Sequence, residues 1–91
     1  MGEAKIILVG RLKRYREHSY EKLVQLIGSH ETKEARAPSG KRYQLEFQVF
    51  WDSRPGGDVR VTGSIDDGGI RAIFPVTDDF IKAPDGTFVD E

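Results

Sequence analysis

The sequence predicts an α+β fold, a two-layer α/β sandwich of order β-α-β-β-β with an antiparallel three-stranded meander and a small C-terminal hairpin. Three observations carry this: a β-branched run near the N-terminus, one stretch of apolar residues at helical spacing, and a switch to period-two alternation from Lys41 onward. A chain of 91 residues fits a single globular domain, 1–91, with one modest core.

Lys5-Ile-Ile-Leu-Val9, bounded by Gly10, reads as a first strand buried on both faces. If it joins the sheet in parallel, its crossover is expected to be right-handed. After the basic segment Arg11 to Arg16, Tyr20, Leu23, Leu26 and Ile27 recur at helical spacing. Ser19 is placed to cap the helix and Gly28 to end it. Residues 29–40 lack periodicity and end in Pro38-Ser-Gly40, so they read as a mobile connection.

Tyr43, Leu45, Phe47, Val49 and Trp51 then alternate with Gln44, Glu46, Gln48 and Phe50. This is a half-buried strand, and a one-residue slip would send every apolar side chain to the wrong face. A loop at Arg54-Pro55-Gly56 pairs Trp51 with Val59, Val49 with Val61, Phe47 with Gly63 and Leu45 with Ile65. All the apolar partners coincide. A type I′ turn at Asp67-Gly68 predicts the next hairpin, with Ile65 opposite Ile70, Gly63 opposite Ala72, Val61 opposite Phe74 and Val59 opposite Val76. Pro75 marks that third strand as an edge. In the tail, Pro84-Asp-Gly86 signals a tight turn that brings Ile81 to face Val89, while Thr77-Asp78-Asp79 could instead cap one helical turn.

That register lays out the opposite sheet face in rows: Gln44 with Asp66; Glu46 with Ser64 and Arg71; Gln48 with Thr62 and Ile73; Phe50 with Arg60 and Pro75. Phe50, Arg60, Ile73 and Pro75 form an apolar corner suited to a protein partner, flanked by Glu46 and Arg71. The competing reading is that other parts of the chain cover them. Glu46 and Asp66 lie diagonally across neighbouring strands with Arg71 beyond, a constellation a small hydrolase-like enzyme could use for general acid–base work. A solvated polar face with an incidental cross-strand ion pair is the alternative.

Other chemistry finds little support. There is no cysteine, which excludes thiolate catalysis and cysteine-based zinc sites. Asp66 and Asp67 diverge at a turn, and His18 and His30 have no metal spacing, so neither metal nor cofactor is expected. Gly10 and Gly56-Gly57 do not form a phosphate-cradling loop. Ile6 stands where a myristoylation signal needs serine or threonine. The apolar run from Ile6 to Val9 is too short for a signal peptide or membrane span, and Glu17 and Glu21 interrupt the cations a membrane-surface helix would need. The expectation is a soluble cytoplasmic protein that does not engage membranes.

Charge is distributed unevenly. Residues 1–43 carry ten Lys/Arg against five Asp/Glu, and residues 44–91 carry four against ten. Arg11, Lys13, Arg14, Arg16 and Lys22, with Tyr15 and Tyr20 interleaved, could serve a nucleic acid through cations and stacking rings. The sequence pI of about 6.1 weighs against a dedicated binder. The leading expectation is a non-enzymatic binding or adaptor domain that engages a protein partner, or itself as a homodimer, through the outer sheet face or an exposed edge. Nucleic-acid binding and hydrolase-like catalysis are the rivals.

Overall fold

The computed structural model describes residues 2–68 and 75–91. It is a small α+β fold of two helices followed by a four-stranded antiparallel sheet: α1 Glu3–Arg16, α2 Tyr20–Gln25, β1 His30–Arg36, β2 Arg42–Trp51, β3 Val59–Asp66 and β4 Val76–Lys82. The strands lie in chain order, β1-β2-β3-β4.

The N-terminal segment corrects the expected first strand. Lys5 to Val9 lies within the 14-residue helix α1, which buries Ala4, Leu8 and Leu12 at intervals of four and half-buries Ile7 and Tyr15 beside them. A four-residue apolar run has no period of its own, and β-branched residues cost a helix only a few tenths of a kcal/mol each, about 0.5. The ends carry the helical signature: Glu3 in the first turn and Lys13, Arg14 and Arg16 in the last, matching the macrodipole. Glu3 also docks that end on the sheet, accepting from Tyr43 Oη at 2.7 Å and Ser39 Oγ at 2.9 Å. These bonds hold its carboxyl below the usual range. Ile6 and Val9 remain exposed on the outward side.

The second helix follows its sequence signals. Ser19 Oγ accepts from Lys22 N at 3.1 Å, and Gly28 takes a φ of 87° that a residue with a Cβ rarely adopts. The connection expected at 29–40 instead contains β1, whose pairing with β2 runs from His30↔Gln48 to Arg36↔Arg42. Nothing in His30–Arg36 alternates because the strand has no buried face; only Ala35 is half-buried. Pro38-Ser-Gly40 is the turn between these strands.

Between β2 and β3 the register is the expected one, Trp51↔Val59 through Leu45↔Ile65. The next strand departs from expectation: Ile65 pairs with Val76, Gly63 with Asp78, Val61 with Phe80 and Val59 with Lys82. Parity survived at Val76, the residue the expected strand shares with β4, which lies opposite Ile65 on the inner side. The offset did not, because a two-residue turn was only one way to satisfy that parity. Asp67-Gly68 retains a local turn, with Gly68 N donating to Asp66 Oδ1 at 2.9 Å. Ile70, Ala72 and Phe74 lie outside the described residues. Thr77 to Asp79 belong to β4 rather than to a helical turn. The tail hairpin forms as expected, with Val89 N donating to Ile81 O at 2.9 Å around Pro84-Asp-Gly86.

The inner sheet face meets α1 over β3 and β4, and α2 over β3. Lys82 is the buried cation of this core; its Nζ donates to the carbonyls of His18 at 2.7 Å and Arg16 at 3.3 Å, capping the end of α1. Arg16 lies over the rings of Phe88 and Phe80, at 4.1 Å and 5.3 Å, and pairs with Glu91. Because α1 sits toward β4, the inner side of β1 is left uncovered.

Candidate functional site

On the outer face the β2–β3 rows stand as expected, Gln44↔Asp66, Glu46↔Ser64, Gln48↔Thr62 and Phe50↔Arg60. The third strand changes their composition. Ile81, not Pro75, lies opposite Arg60, and Pro75 precedes β4 at the far end, beside the Ile65 row. Ile73 and Arg71 lie outside the described residues. Phe50 is 37% exposed, but Arg60 is engaged, with Nε 2.7 Å from Asp52 Oδ1 and its guanidinium bonded also to Asp79. These carboxylates hold Arg60 protonated above its usual range.

The two carboxylates of the catalytic reading diverge. Glu46 lies 3.5 Å from His30 Nε2 across β1, an exposed pair that salt screens. Asp66 is spent on its turn. A shallow hollow of about 420 Å³ lies over the sheet beside Glu46, Thr62, Ser64, Thr77 and Asp79, and Asp66 is not on its wall. Among the described residues no group of three or more His, Asp or Glu side chains is placed to share a metal ion.

A second surface, on the inner side of β1, brings more chemistry together. Arg11, Arg14 and Tyr15 fall on one stripe of α1, with His18 just beyond its end, and face the open strand across a cleft of about 570 Å³. Lys22 and Leu26 close one end, and His30, Glu31 and Lys33 supply the strand side, with Phe47 beneath. Among the described residues, four cations and the His18 imidazole thus surround one carboxylate, while the His30 imidazole turns to Glu46 on the outer face. Glu31 is already occupied: it accepts from Tyr15 Oη at 2.7 Å and lies 3.8 Å from Lys33. Burial first, then this bond, pushes the Tyr15 phenol well above its ordinary range.

Three of the five cations expected to act together therefore converge: Arg11, Arg14 and Lys22. Lys13 does not line the cleft, and Arg16 is bound to Glu91. The two rings expected to stack on bases are committed elsewhere. Tyr15 packs on Phe47 with centroids 5.2 Å apart, and Tyr20 donates to the Gly57 carbonyl at 2.7 Å. His18, His30 and Lys33 were not anticipated as neighbours. Reading α1 as a helix would have revealed the Arg11, Arg14, Tyr15 stripe, whereas Lys33 needed the pairing of β1.

The fold and this surface define a small α+β domain with an open sheet edge and a basic cleft beside it. The chain matches no known family model, curated protein or solved structure. Among the described residues no helix is long and apolar enough to cross a membrane.

Proposed function

We propose that the chain is a small, non-enzymatic, cytoplasmic binding or adaptor domain, a helical layer over a sheet layer, that engages a protein strand or a second copy of itself along the free edge of β1. The observation that carries this reading is β1 itself. It is seven residues long, paired on one side only among the described residues, and exposed at every position except Ala35. An open edge offers unpaired backbone donors and acceptors for strand addition.

Its charges make that edge selective. In an antiparallel pair that keeps the helices of both copies on one face, a register centred on Thr32 sets Glu31 opposite the copy's Lys33 and His30 opposite its Glu34. Registers centred on Lys33 or Glu34 set like charges together. Each favourable cross-strand pair contributes roughly 0.2–1 kcal/mol, and like charges cost a similar amount. The outer-face corner at Phe50 is a weaker binding surface because Arg60 is held by two carboxylates.

Sedimentation across a wide concentration range tests the self-paired form. Lys33→Glu is expected to abolish association, and adding Glu31→Lys to it to restore association. A strict monomer at millimolar concentration eliminates the homodimer. A bound protein partner that leaves amide exchange in β1 unchanged eliminates the edge.

A further inference from the structure

We infer that the cleft between α1 and β1 is a binding site for a small anion bearing two or more phosphate groups. The inference stands apart from strand pairing and rests on side chains of the helices. Arg11, Arg14 and Lys22 have no ion-pair partner among the described residues, unlike Arg16, Arg60 and Lys41. They come from two helices and face one cleft, with His18 as a further donor. A volume of about 570 Å³ lies within the range typical of small-molecule sites, roughly 300–1,000 Å³.

Phosphate suits this arrangement. A guanidinium presents a planar fork of donors that matches phosphate oxygens, and Lys22 adds a point charge. Cations on separate walls are satisfied together only by a ligand with more than one anionic centre. The single carboxylate, Glu31, is turned to Tyr15 and Lys33. A nucleic-acid strand is the poorer fit, because binding of single strands draws on exposed stacking rings. Here Tyr15 is half-buried against Phe47 and Tyr20 is bonded to Gly57.

The test is a titration of the full chain at low salt with tripolyphosphate, ATP and a mixed single-stranded oligonucleotide, read by calorimetry and by the imidazole resonance of His18. Tripolyphosphate should bind and shift His18. Arg14→Gln and Lys22→Gln should each weaken it about tenfold or more, the loss expected for a charge-assisted bond. Lys13→Gln, on the same helix but outside the cleft, should leave it unchanged. ATP binding more tightly than tripolyphosphate identifies a nucleotide as the natural source of the phosphates, and equal binding identifies a free polyphosphate. The inference is overturned if tripolyphosphate fails to bind, if Lys13→Gln weakens it as much as Arg14→Gln, or if the oligonucleotide binds more tightly than either phosphate.

Discussion

Gly63→Ala tests where α1 lies, and the sign of its effect decides. Gly63 is on the inner face of β3 between Phe47 and Asp78. A Cβ built there would stand 2.9 Å from Leu8 Cδ1 and 2.9 Å from Phe47 Cε1, against about 3.5–4.0 Å for comfortable carbon contacts. Leu8 is 0% and Phe47 2% exposed, so both side chains are held by packed neighbours and give way only at a cost. Overpacking of this kind costs about 1–3 kcal/mol. Opposing it, replacing glycine restricts the unfolded chain and stabilises by about 0.4–1 kcal/mol, and Gly63 is not among the positive-φ glycines. The net expectation is a loss of about 1–2 kcal/mol, or roughly 5–15 °C in Tm for a domain of this size. Thermal denaturation followed by circular dichroism measures it. In a Leu8→Val background, where one of the clashing methyls is gone, the penalty of Gly63→Ala should shrink by about 0.5 kcal/mol or more. A Tm that rises on Gly63→Ala, or an unchanged penalty with Leu8→Val, would refute the packing of α1 over this row.

Two further expectations concern polar groups at the margin of the core. Lys82→Met keeps the stem's volume but strips the donors from the carbonyls of His18 and Arg16, so chemical denaturation should show a loss of about 1–3 kcal/mol. An unchanged midpoint would mean water satisfies those carbonyls as well. Tyr15, with its pKa raised in the folded state by burial and then by Glu31, favours the protonated phenol. Its contribution is therefore complete below the unfolded value near 10 and lost as pH rises above it. Denaturation midpoints should be insensitive to this group below about pH 10 and fall above it, and Tyr15→Phe should flatten that alkaline decline.

Much of the sheet was legible because burial writes a period of two. Tyr43 to Val49 and Val59 to Ile65 alternate, and their mutual register followed from making the apolar sides coincide. His30–Arg36 left no such trace, since an edge strand with both faces in water has nothing to alternate. Arg11, Arg14 and Lys22 were visible as cations, but not their grouping apart from Lys13 and Arg16. That separation requires the helical phase of α1, which the apolar run from Ile6 to Val9 obscured.

By itself the sequence determined the inward faces of β2 and β3, the cap and stop of α2, and the tail hairpin, all set by contacts near in the chain or by parity. Only the tertiary structure decided that the first apolar run is a helix, that Val76 pairs with Ile65, and that α1 stands over β3 and β4. Those outcomes depend on distant partners: Leu8 fits against Gly63 because that residue lacks a side chain, and Lys82 reaches the end of α1 from the last strand. With the helix on that side of the sheet, the inner face of β1 is left open to form the basic cleft, while its free edge follows from its terminal place in the strand order.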